Sequence, residues 1–426
     1  MSRRQLIAAT AALPLLGVPA LLRAAEPDLS ALSDLTTGTA PISTAERQAR
    51  IARAQALMRA AGMGAVLVEP GASLTYFTGV RWGRSERLTA AIIPVEGDPC
   101  IVTPFFEEPS IRQSLAIPAD VRVWQEDQNP LERVAGFLRD RKLAGKPVGI
   151  EETARFFAFD GLARALPSAK LVSANPVVRG CRMIKSAAEI ALMQAAANVT
   201  MAAYRWTHPR IEAGMTPAQI GALMTAATRK LGGNPEFALV LIGEAAAYPH
   251  GSSAPQRVAD GQIVLMDCGC TVQGYQSDIS RTFVHGTATG EQHKVWRDVA
   301  RGQQIANAAA QIGTPAGAVD DAVRRFYEGA GYGPGYKLPG LSHRTGHGIG
   351  MDGHEPVNLV HGEATPLAAG MCFSNEPGLY LPGKFGVRLE DCFYMTPAGP
   401  KWEELRIATA PMPLASASSM ALSMAR

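Results

Sequence analysis

This sequence has little charge, few aromatic residues and few cysteines, and each scarcity excludes a class of protein. Six cysteines in 426 residues are too few for a disulfide scaffold. Aromatic residues make up 6%, so a core must consist mostly of Ala, Val, Leu, Ile and Met. With 47% hydrophobic and 19% charged residues, the composition excludes a disordered chain, a collagen and a coiled coil. The length predicts two domains, or one large domain with an appendage.

The sequence also lacks an excess of either charge. The formal net charge is +3, and Arg3, Arg4 and Arg23 are the only charged residues among the first 25. Apart from these three, 38 basic residues balance 38 acidic ones. A chain with no net field does not attract nucleic acid or an anionic membrane. We therefore expect no nucleic-acid partner and no stable membrane association.

A long hydrophobic run is missing too. The apolar stretch from Ala8 to Leu22 contains two prolines and is too short to span a hydrocarbon core of about 30 Å. Because it follows Arg3, Arg4 and then Gln-Leu-Ile, residues 1–25 are predicted to be a twin-arginine signal peptide, which exports folded proteins to the periplasm. A buried N-terminal helix suits the two prolines poorly. The sequence leaves the cleavage point open.

Helix and strand signals divide the rest of the chain into two regions. Residues 26–44 are rich in Ser, Thr, Asp and Pro and are predicted to be a linker. Strands alternate with helices over residues 45–180, which predicts a smaller α/β domain. A second domain is predicted over residues 181–412, followed by a tail over 413–426. Capping boxes open three predicted helices, at Ser43–Glu46, Ser186–Glu189 and Thr216–Gln219.

Two acidic residues flank a predicted hairpin in the second domain. Asp267 ends an apolar strand, Asp278 begins another strand, and the Val272-Gln273-Gly274 segment between them signals a turn. A turn centred between Val272 and Gln273 would place Asp267 directly opposite Asp278. Like charges at facing positions repel each other. A divalent cation between the two carboxylates would remove that penalty.

A second predicted hairpin repeats this arrangement. If it is centred on Gly383, Glu376 lies opposite Glu390, although Pro377-Gly378 would interrupt the ladder. A single acid is most often a solvated surface carboxylate. Here both Asp267 and Glu376 follow apolar segments, and two facing pairs occur in one chain. This favours a metal site, because buried charges need partners or metals.

A glycine-rich segment contributes the candidate histidine ligand. His343 and His347 are four residues apart, but no Glu follows His343 as in a helical zinc motif, and three glycines oppose a helix. Glycines instead let the backbone pass close to a site. Carboxylates with one imidazole form a ligand set for Mn, Co, Zn or Fe. His250, which precedes the first hairpin, would by itself more often be structural than catalytic.

These segments resemble the family of Xaa-Pro dipeptidases (prolidases) and Xaa-Pro aminopeptidases. The similarity rests on Asp267 and Asp278, on His347 in Gly-His-Gly-Ile-Gly, on Glu376 in Asn-Glu-Pro-Gly-Leu-Tyr, and on Glu390 in Val-Arg-Leu-Glu-Asp. It spans most of the chain after the signal peptide. The resemblance implies an α+β protein in which a pita-bread catalytic domain follows a smaller, creatinase-type α/β N-terminal domain.

The resemblance also implies a chemistry. Asp278 and Glu390 would bridge two divalent metal ions, Asp267 would chelate one of them, and His347 with Glu376 would bind the other. Manganese is expected, with Co, Zn or Fe as alternatives. A bridging hydroxide would attack the Xaa-Pro bond of a dipeptide or short peptide. Glu376 would pass the proton to the leaving amine.

Further residues acquire roles from the same resemblance. His250 and His354 match additional histidines that bind substrate and stabilise the tetrahedral intermediate. Arg388 would orient a ligand carboxylate. The resemblance also implies a homodimer in which the N-terminal domain of one subunit edges the active site of the other. Trp82 and Arg84 are the candidates for that edge.

The sequence departs from the family pattern in one respect. Prolidases often carry an arginine shortly after the second histidine, where it can grip the free carboxylate of the substrate, and none closely follows His354 here. Asn358, or Arg84 of the partner subunit, could replace it. Because a charge-assisted contact is lost, we expect relaxed selection for length. Dipeptides would be accepted and longer peptides cleaved as well.

Other proteins with this architecture fit the residues less well. Creatinase works without a metal and lacks the ligand set, and methionine aminopeptidase lacks such a separate N-terminal domain. A non-peptide hydrolase or lyase on the same metal scaffold and a non-catalytic binding protein are the alternative functions. Cys268 and Cys270 are expected in the core rather than as thiolate ligands, and a Cys372–Cys392 disulfide is left open.

Overall fold

The structure is a computed structural model that describes residues 27–401. The predicted signal peptide at 1–25 and the predicted tail at 413–426 lie outside the described residues. Across residues 27–401, no helix is both long enough and apolar enough to cross a membrane.

An α/β domain occupies the first part of the described chain. Helices alternate with strands in it, in the order α1 (Thr44–Ala60), β1 (Ala65–Val68), α2 (Ala72–Thr78), β2 (Ala90–Pro94), β3 (Cys100–Pro104), α3 (Glu108–Ser114), β4 (Asp120–Trp124), α4 (Pro130–Asp140), β5 (Val148–Ile150), α5 (Phe156–Ala165), β6 (Leu171–Ser173) and α6 (Asn175–Arg182). The sheet has the order β4-β3-β2-β1-β5-β6. Its strands run parallel except for β2, which runs against both neighbours.

Helices cover both faces of this sheet. Ala65 and Leu67 of β1 join an apolar cluster with α4 and α5, whereas Val66 and Val68 join a second cluster with α1 and α2. This division follows from the alternation of side chains along a strand. All four residues are buried, which explains why β1 reads as an uninterrupted apolar run.

The second domain combines longer helices with many short strands. The helices are α7 (Ala187–Thr207), α8 (Pro217–Lys230), α9 (Gly290–Ala309) and α10 (Ala316–Gly329). The strands are β7 (Asn234–Ile242), β8 (Gln262–Val272), β9 (Tyr275–Gln276), β10 (Ile279–His285), β11 (Gly346–Gly348), β12 (Glu355–Leu359), β13 (Cys372–Asn375), β14 (Leu379–Leu381), β15 (Phe385–Val387), β16 (Asp391–Thr396) and β17 (Gly399–Lys401). Short 3-10 helices lie at Phe105–Glu107, His208–Arg210 and Gly243–Ala247.

Two sheets organise this second domain. One has the order β10-β8-β7, with β9 paired to the end of β8, and the other has the order β12-β11-β13-β16-β17. One apolar cluster combines α7 and α8 with residues of β7, β8 and β10. Another combines α9 and α10 with residues of β12, β13 and the β14–β15 hairpin. The sheets are therefore enclosed by helices from two directions.

The first hairpin has a different register from the one that the sequence predicted. Asp267 pairs with Ser280, so the prediction that it faces Asp278 directly is wrong. The turn is centred between Gln273 and Gly274, one residue later than predicted, because both residues adopt left-handed conformations, with φ of 51° and 86°. Such a two-residue turn matches the twist of the flanking strands. Asp278 consequently lies diagonally across from Asp267.

The second hairpin has the predicted register. Leu381 pairs with Phe385 around Gly383, and farther along, Asn375 pairs with Asp391. Both pairs are centred on Gly383, whose φ of 75° suits glycine. The ladder is interrupted between these pairs, as Pro377-Gly378 predicted. Glu376 and Glu390 fall opposite each other in this interruption.

Two of the three capping boxes predicted from the sequence are complete in the structure. The boxes at Ser186–Glu189 and Thr216–Gln219 are complete and open α7 and α8. At α1, Ser43 accepts from the Glu46 backbone N–H, but the Glu46 carboxylate bonds other side chains, so this predicted box is only half formed. A box at Thr289–Gln292 opens α9, a helix that we did not predict from the sequence.

The segment predicted as a linker is attached to the second domain. Residues 27–43 form no helix or strand, yet Leu29 and Leu32 pack against the α7–α8 core. The Leu35 backbone N–H donates to the Leu231 carbonyl at 3.0 Å. Ordered contacts therefore begin well before α1.

All six cysteines are buried, and none forms a disulfide. Cys268 and Cys270 lie in the core beside α7, as predicted. In the β13–β16 ladder, Cys392 pairs with Ser374, and Cys372 pairs with Tyr394. The disulfide that the sequence left open is not formed.

Candidate metal centre

Five side chains from separate segments of the second domain converge at one place. Asp267 lies on β8, Asp278 precedes β10, His347 lies on β11, Glu376 follows β13 and Glu390 precedes β16. The ligand atoms of Asp267, Asp278 and Glu390 lie within 4.8 Å of one another, and so do those of His347, Glu376 and Glu390. The result is two overlapping sets of potential ligands that share Glu390.

Ser280 joins the two hairpins that carry these carboxylates. Its backbone carbonyl accepts from the Glu390 N–H at 3.1 Å, and its hydroxyl donates to Glu390 Oε2 at 2.8 Å. Ser280 is also the cross-strand partner of Asp267. The residue therefore fixes the distance between acids that are far apart in the sequence.

The clustered carboxylates oppose one another's ionisation. Burial, together with the nearby charges of the other carboxylates, raises the pKa of both Asp278 and Glu390 well above its usual range. Asp267 Oδ1 is buried, with no hydrogen-bond partner among the described residues. An unpaired oxygen among acids that resist ionisation is the environment that a divalent cation compensates. The site therefore fits divalent metal ions with oxygen and imidazole ligands.

His347 is oriented by its own strand. Its Nδ1 lies 3.1 Å from the Gly348 carbonyl, so Nδ1–H donates and Nε2 faces the acids. Nε2 lies 3.2 Å from Glu376 Oε1 and 3.7 Å from Asp278 Oδ2. Burial alone would raise the pKa of Glu376, but the hydrogen bond and charge of His347 lower it to about 2. Glu376 is consequently ionised at neutral pH.

Arg388 neutralises and orients the opposite side of the cluster. Its Nη2 donates to Asp267 Oδ2 at 2.6 Å, and its Nε donates to the Ser280 hydroxyl at 2.9 Å. Its Nη1 donates to the Pro249 carbonyl and to the Tyr380 hydroxyl, each at 3.1 Å. The guanidinium thus contacts Asp267 directly and Glu390 through Ser280, the position from which the predicted orienting role would be exerted.

His354 is held as a neutral imidazole with a defined tautomer. Its ring centroid lies 4.1 Å from that of His347, and its Nδ1 lies 3.1 Å from Arg344 Nη2. Because a guanidinium can only donate, Nδ1 accepts and the proton is on Nε2. Burial, with the charges of His347 and Arg344, lowers the pKa of His354 to about 4. At neutral pH this residue therefore offers one N–H donor.

A series of side-chain hydrogen bonds that the sequence did not predict supports the position of Arg388. The Tyr380 hydroxyl, which accepts from Arg388, lies 2.7 Å from His343 Nε2. His343 Nδ1 lies 2.7 Å from the Arg344 carbonyl, so Nδ1–H donates and Nε2 accepts from Tyr380. Burial lowers the pKa of His343 and keeps it neutral. This series links Arg388 to the backbone of the segment that bears His347.

The centre opens onto a cavity of about 840 Å³. Every residue predicted for the site lines it, namely His250, Asp267, Asp278, His347, His354, Glu376, Arg388 and Glu390. The lining also includes residues that the sequence did not indicate: Glu236, Phe237, Gln276, His343, Arg344, Gly353 and Val360. The cavity is large enough for a small peptide.

The two residues predicted for a subunit edge do not reach this cavity within their own chain. Arg84 Nε donates to the Pro70 carbonyl at 2.8 Å, and its Nη2 donates to Thr153 Oγ1 at 3.0 Å. Trp82 packs partly against the core of the N-terminal domain. Both side chains are thus engaged within the domain that carries them.

Sequence comparisons place this geometry in a known context. The pattern of metallopeptidase family M24 matches residues 191–397, and that of the creatinase/prolidase N-terminal domain matches residues 50–184. The probable dipeptidase PepE of Mycobacterium tuberculosis is 33% identical over 360 residues, covering 82% of this chain and 92% of that protein. The Xaa-Pro dipeptidase of Lactobacillus helveticus is 31% identical over 332 residues, covering 77% and 89%.

Solved structures give the same context for the fold. The crystal structure of dipeptidase PepE from Mycobacterium ulcerans superposes with a TM-score of 0.80 at 31% identity, covering 88% of this chain and all of that one. The prolidase of Thermococcus sibiricus superposes with a TM-score of 0.78 at 29% identity, covering 87% and 99%. Both domains of the described chain are included in these superpositions.

Proposed function

Because the chain belongs to metallopeptidase family M24, we propose that it hydrolyses the Xaa-Pro bonds of dipeptides and short peptides with two divalent metal ions. The convergence of four carboxylates and His347 beside a peptide-sized cavity carries this proposal. Relatives named as Xaa-Pro dipeptidase and prolidase support the choice of bond. Membership of the family implies divalent metal ions and a peptide substrate.

The two overlapping ligand sets support a pair of ions. Asp267, Asp278 and Glu390 would hold one, and His347 and Glu376 with Glu390 would hold the other. Asp278 also lies near His347 and is the second candidate bridge. We propose manganese, with Co, Zn or Fe as alternatives, because oxygen-rich ligand sets suit it. Bound divalent ions in such pairs activate water and polarise the scissile carbonyl.

Around such ions, the side chains of this protein have separate tasks. Glu376, ionised at neutral pH, can accept a proton from the attacking water and deliver it to the leaving nitrogen. Nε2–H of His354 can donate to the oxygen on which negative charge develops. His250 lines the same cavity and is proposed to bind substrate. Arg388 and Ser280 keep the carboxylates in place.

The proposal extends to location and assembly. We propose that the mature protein is periplasmic, because Arg3 and Arg4 precede a short apolar run. We also propose a homodimer, with Trp82 and Arg84 near the subunit contact. The exposed aromatic rings of the N-terminal domain, such as Phe105 and Phe156, are consistent with a contact on that domain.

Metal analysis and a peptide panel on the purified mature protein test the proposal. We expect two divalent ions per chain, cleavage of Ala-Pro, and loss of activity with a chelator. The Asp278→Asn, Glu390→Gln double variant should lose both ions, whereas the surface control Asp321→Asn should keep them. Full activity of the double variant would exclude the paired-metal mechanism. Two bound ions without cleavage of any Xaa-Pro peptide would indicate a non-peptide hydrolase or lyase.

A further inference from the structure

A buried ion pair on α10 holds the segment that carries His347, although neither of its members lines the cavity. Asp320 is fully buried, and its Oδ2 accepts from Arg324 Nε at 2.6 Å. Compared with apolar side chains of similar volume, a buried ion pair adds little to the free energy of unfolding. Stability alone therefore does not account for a carboxylate at this position.

The carboxylate of Asp320 contacts both ends of the β11–β12 strand pair. Its Oδ1 accepts from the backbone N–H of Thr345 at 3.0 Å and from the Thr345 hydroxyl at 2.7 Å. Its Oδ2 accepts from the backbone N–H of His361 at 3.0 Å. Thr345 directly precedes β11, and His361 follows shortly after β12. One carboxylate thus fixes where this strand pair lies relative to α10.

Arg324 binds the backbone on the approach to the same strand pair. Its Nη1 donates to the carbonyls of Gly335 and Leu341 at 2.8 and 2.9 Å, and its Nη2 donates to the His343 carbonyl at 2.6 Å. The pair therefore contacts the chain on both sides of His347. A helix that contributes no ligand in this way holds a ligand-bearing strand.

One of these contacts leads to a second predicted ligand. The Thr345 carbonyl accepts from the Glu376 backbone N–H at 2.8 Å, and His347 follows two residues later in the chain. Thr345 is therefore bonded on one side to Asp320 and on the other to Glu376. Among the described residues, no hydrogen bond of the ion pair leads to the other three ligands.

We infer that Asp320 is a positioning residue that fixes His347 and Glu376 relative to each other, and so controls the metal ion held by that half of the site. The inference rests on the proposed function. Movement of Thr345 relative to α10 would displace both ligands, because one is bonded to its carbonyl and the other lies on the strand that it begins. The other ligand set, which contains Asp267, would remain complete.

Titration of the apoprotein with Mn²⁺ tests the inference in Asp320→Asn. An amide has one acceptor atom in place of two, so it cannot satisfy all four donors. The wild type should bind two ions, and in the variant one of the two affinities should fall about ten- to a hundredfold while the other is unchanged. At an Mn²⁺ concentration that just saturates the wild type, the paramagnetic resonance spectrum should change from that of a coupled pair to that of a single ion.

Glu69→Gln is the matched control. Glu69 is also fully buried, and its carboxylate accepts from Arg155 Nη2 and from the Arg155 backbone N–H, each at 2.6 Å, in the N-terminal domain. This variant should lose stability in denaturation, as Asp320→Asn does, but keep both affinities. If it lost the same ion, or if Asp320→Asn weakened both sites equally, the effect would be a general loss of stability and the inference would be overturned. Unchanged affinities in Asp320→Asn would overturn it as well.

Thr345→Val tests the same path with the ion pair intact. It removes only the hydroxyl that donates to Asp320, and valine has a similar shape. Because one hydrogen bond is lost, the affinity for the same ion should fall about fivefold. Wild-type affinity in this variant would contradict the path through Thr345. If the wild type bound fewer than two ions, the proposed function would fail and the inference with it, whereas the outcomes above concern Asp320 alone.

Discussion

At the scale of single residues, the hydroxyl of Ser280 has a larger role than its size suggests. It accepts a hydrogen bond from Arg388 and donates one to Glu390, so it fixes the direction in which both side chains point. Groups that orient ligands in this way commonly determine metal affinity as strongly as some ligands do. The residue is fully buried, so water cannot replace its hydroxyl.

Ser280→Ala should therefore weaken binding of divalent metal by about ten- to a hundredfold. The ligands remain, but Glu390 loses its donor and Arg388 loses an acceptor. Titration of the apoprotein with Mn²⁺ would measure the change. The matched control is Thr89→Val, which removes a buried hydroxyl pair with Thr103 in the N-terminal domain and should not alter metal affinity. An unchanged affinity in Ser280→Ala would contradict the orienting role.

Individual site residues were predictable where the sequence carried a local signal. Asp267 follows an uninterrupted apolar run and His347 lies among glycines, so the sequence indicates both. The spacing of His343 and His347 fits no zinc motif, and the sequence assigns no separate role to Tyr380. The hydrogen bond between His343 and Tyr380 joins positions 37 apart in the chain. No pattern of spacing or hydropathy encodes such a contact.

At the scale of elements, the two hairpins show what determines register. The position of Gly383 predicted the second register correctly because a single glycine centred the turn. In the first hairpin the turn requires two consecutive left-handed residues, and one of them is Gln273. Glutamine does not signal that conformation, so the predicted turn was displaced by one residue.

Gly274→Ala should destabilise the first hairpin by about 1–2 kcal/mol, because an L-residue at φ of 86° is strained. Chemical denaturation of the purified protein would measure the loss. Gly329→Ala is the matched control, since Gly329 ends α10 and a Cβ there meets nothing within 4 Å. Equal stability of the two variants would contradict the strain argument.

At the scale of the whole molecule, buried ion pairs join the two domains near the active site. Glu355 lies 2.9 Å from Lys185 Nζ and 2.5 Å from Arg182 Nη2. It also accepts from the backbone N–H groups of Met351 and Asp352, in the loop that leads to His354. Burial alone would raise its pKa, but Lys185 and Arg182 lower it to about 2.

Glu355→Gln should destabilise the protein by about 3 kcal/mol at pH 7, because it leaves the buried Lys185 without its anion and leaves Arg182 with Asp352 alone. The folded pKa of Glu355 is depressed, so its contribution is complete above the unfolded value near 4.5 and is lost as the pH falls toward 2. The difference in the free energy of unfolding between wild type and variant, measured by denaturation, should therefore be constant from pH 7 to 5 and decrease below that range.

Asp352→Asn is the control for this interaction. Asp352 also pairs with Arg182, but its side chain is 51% exposed, so its removal should cost less than about 1 kcal/mol. A loss of stability as large as that expected for Glu355→Gln would show that burial does not determine the strength of these ion pairs.

The predicted fold class, a pita-bread domain preceded by a creatinase-type domain, is confirmed by the family matches and the superpositions. This prediction rests on the ligand motifs, because each of them occupies a fixed position in this fold. The docking of residues 27–43 could not be predicted, since a polar composition does not reveal that Leu29 and Leu32 find an apolar surface.

The proposed export also concerns the whole chain. Replacing Arg3 and Arg4 by Lys should leave the protein in the cytoplasm, because twin-arginine export depends on the arginine pair. Fractionation of cells that express the variant would measure this, with Arg23→Lys as a control that should still be exported. Normal export of the double-lysine variant would favour the general secretory route.

The burial of every cysteine has a consequence for the proposed export. The thiolate is the form that reacts, and burial raises the pKa of Cys100, Cys181 and Cys372 to about 12 and that of the other three as well. A chain that entered an oxidising compartment unfolded would expose six thiols to mispairing. A chain that folds before export keeps its thiols buried and protonated, so oxidants in that compartment cannot react with them. Such a chain needs no disulfide isomerase to reach its native state.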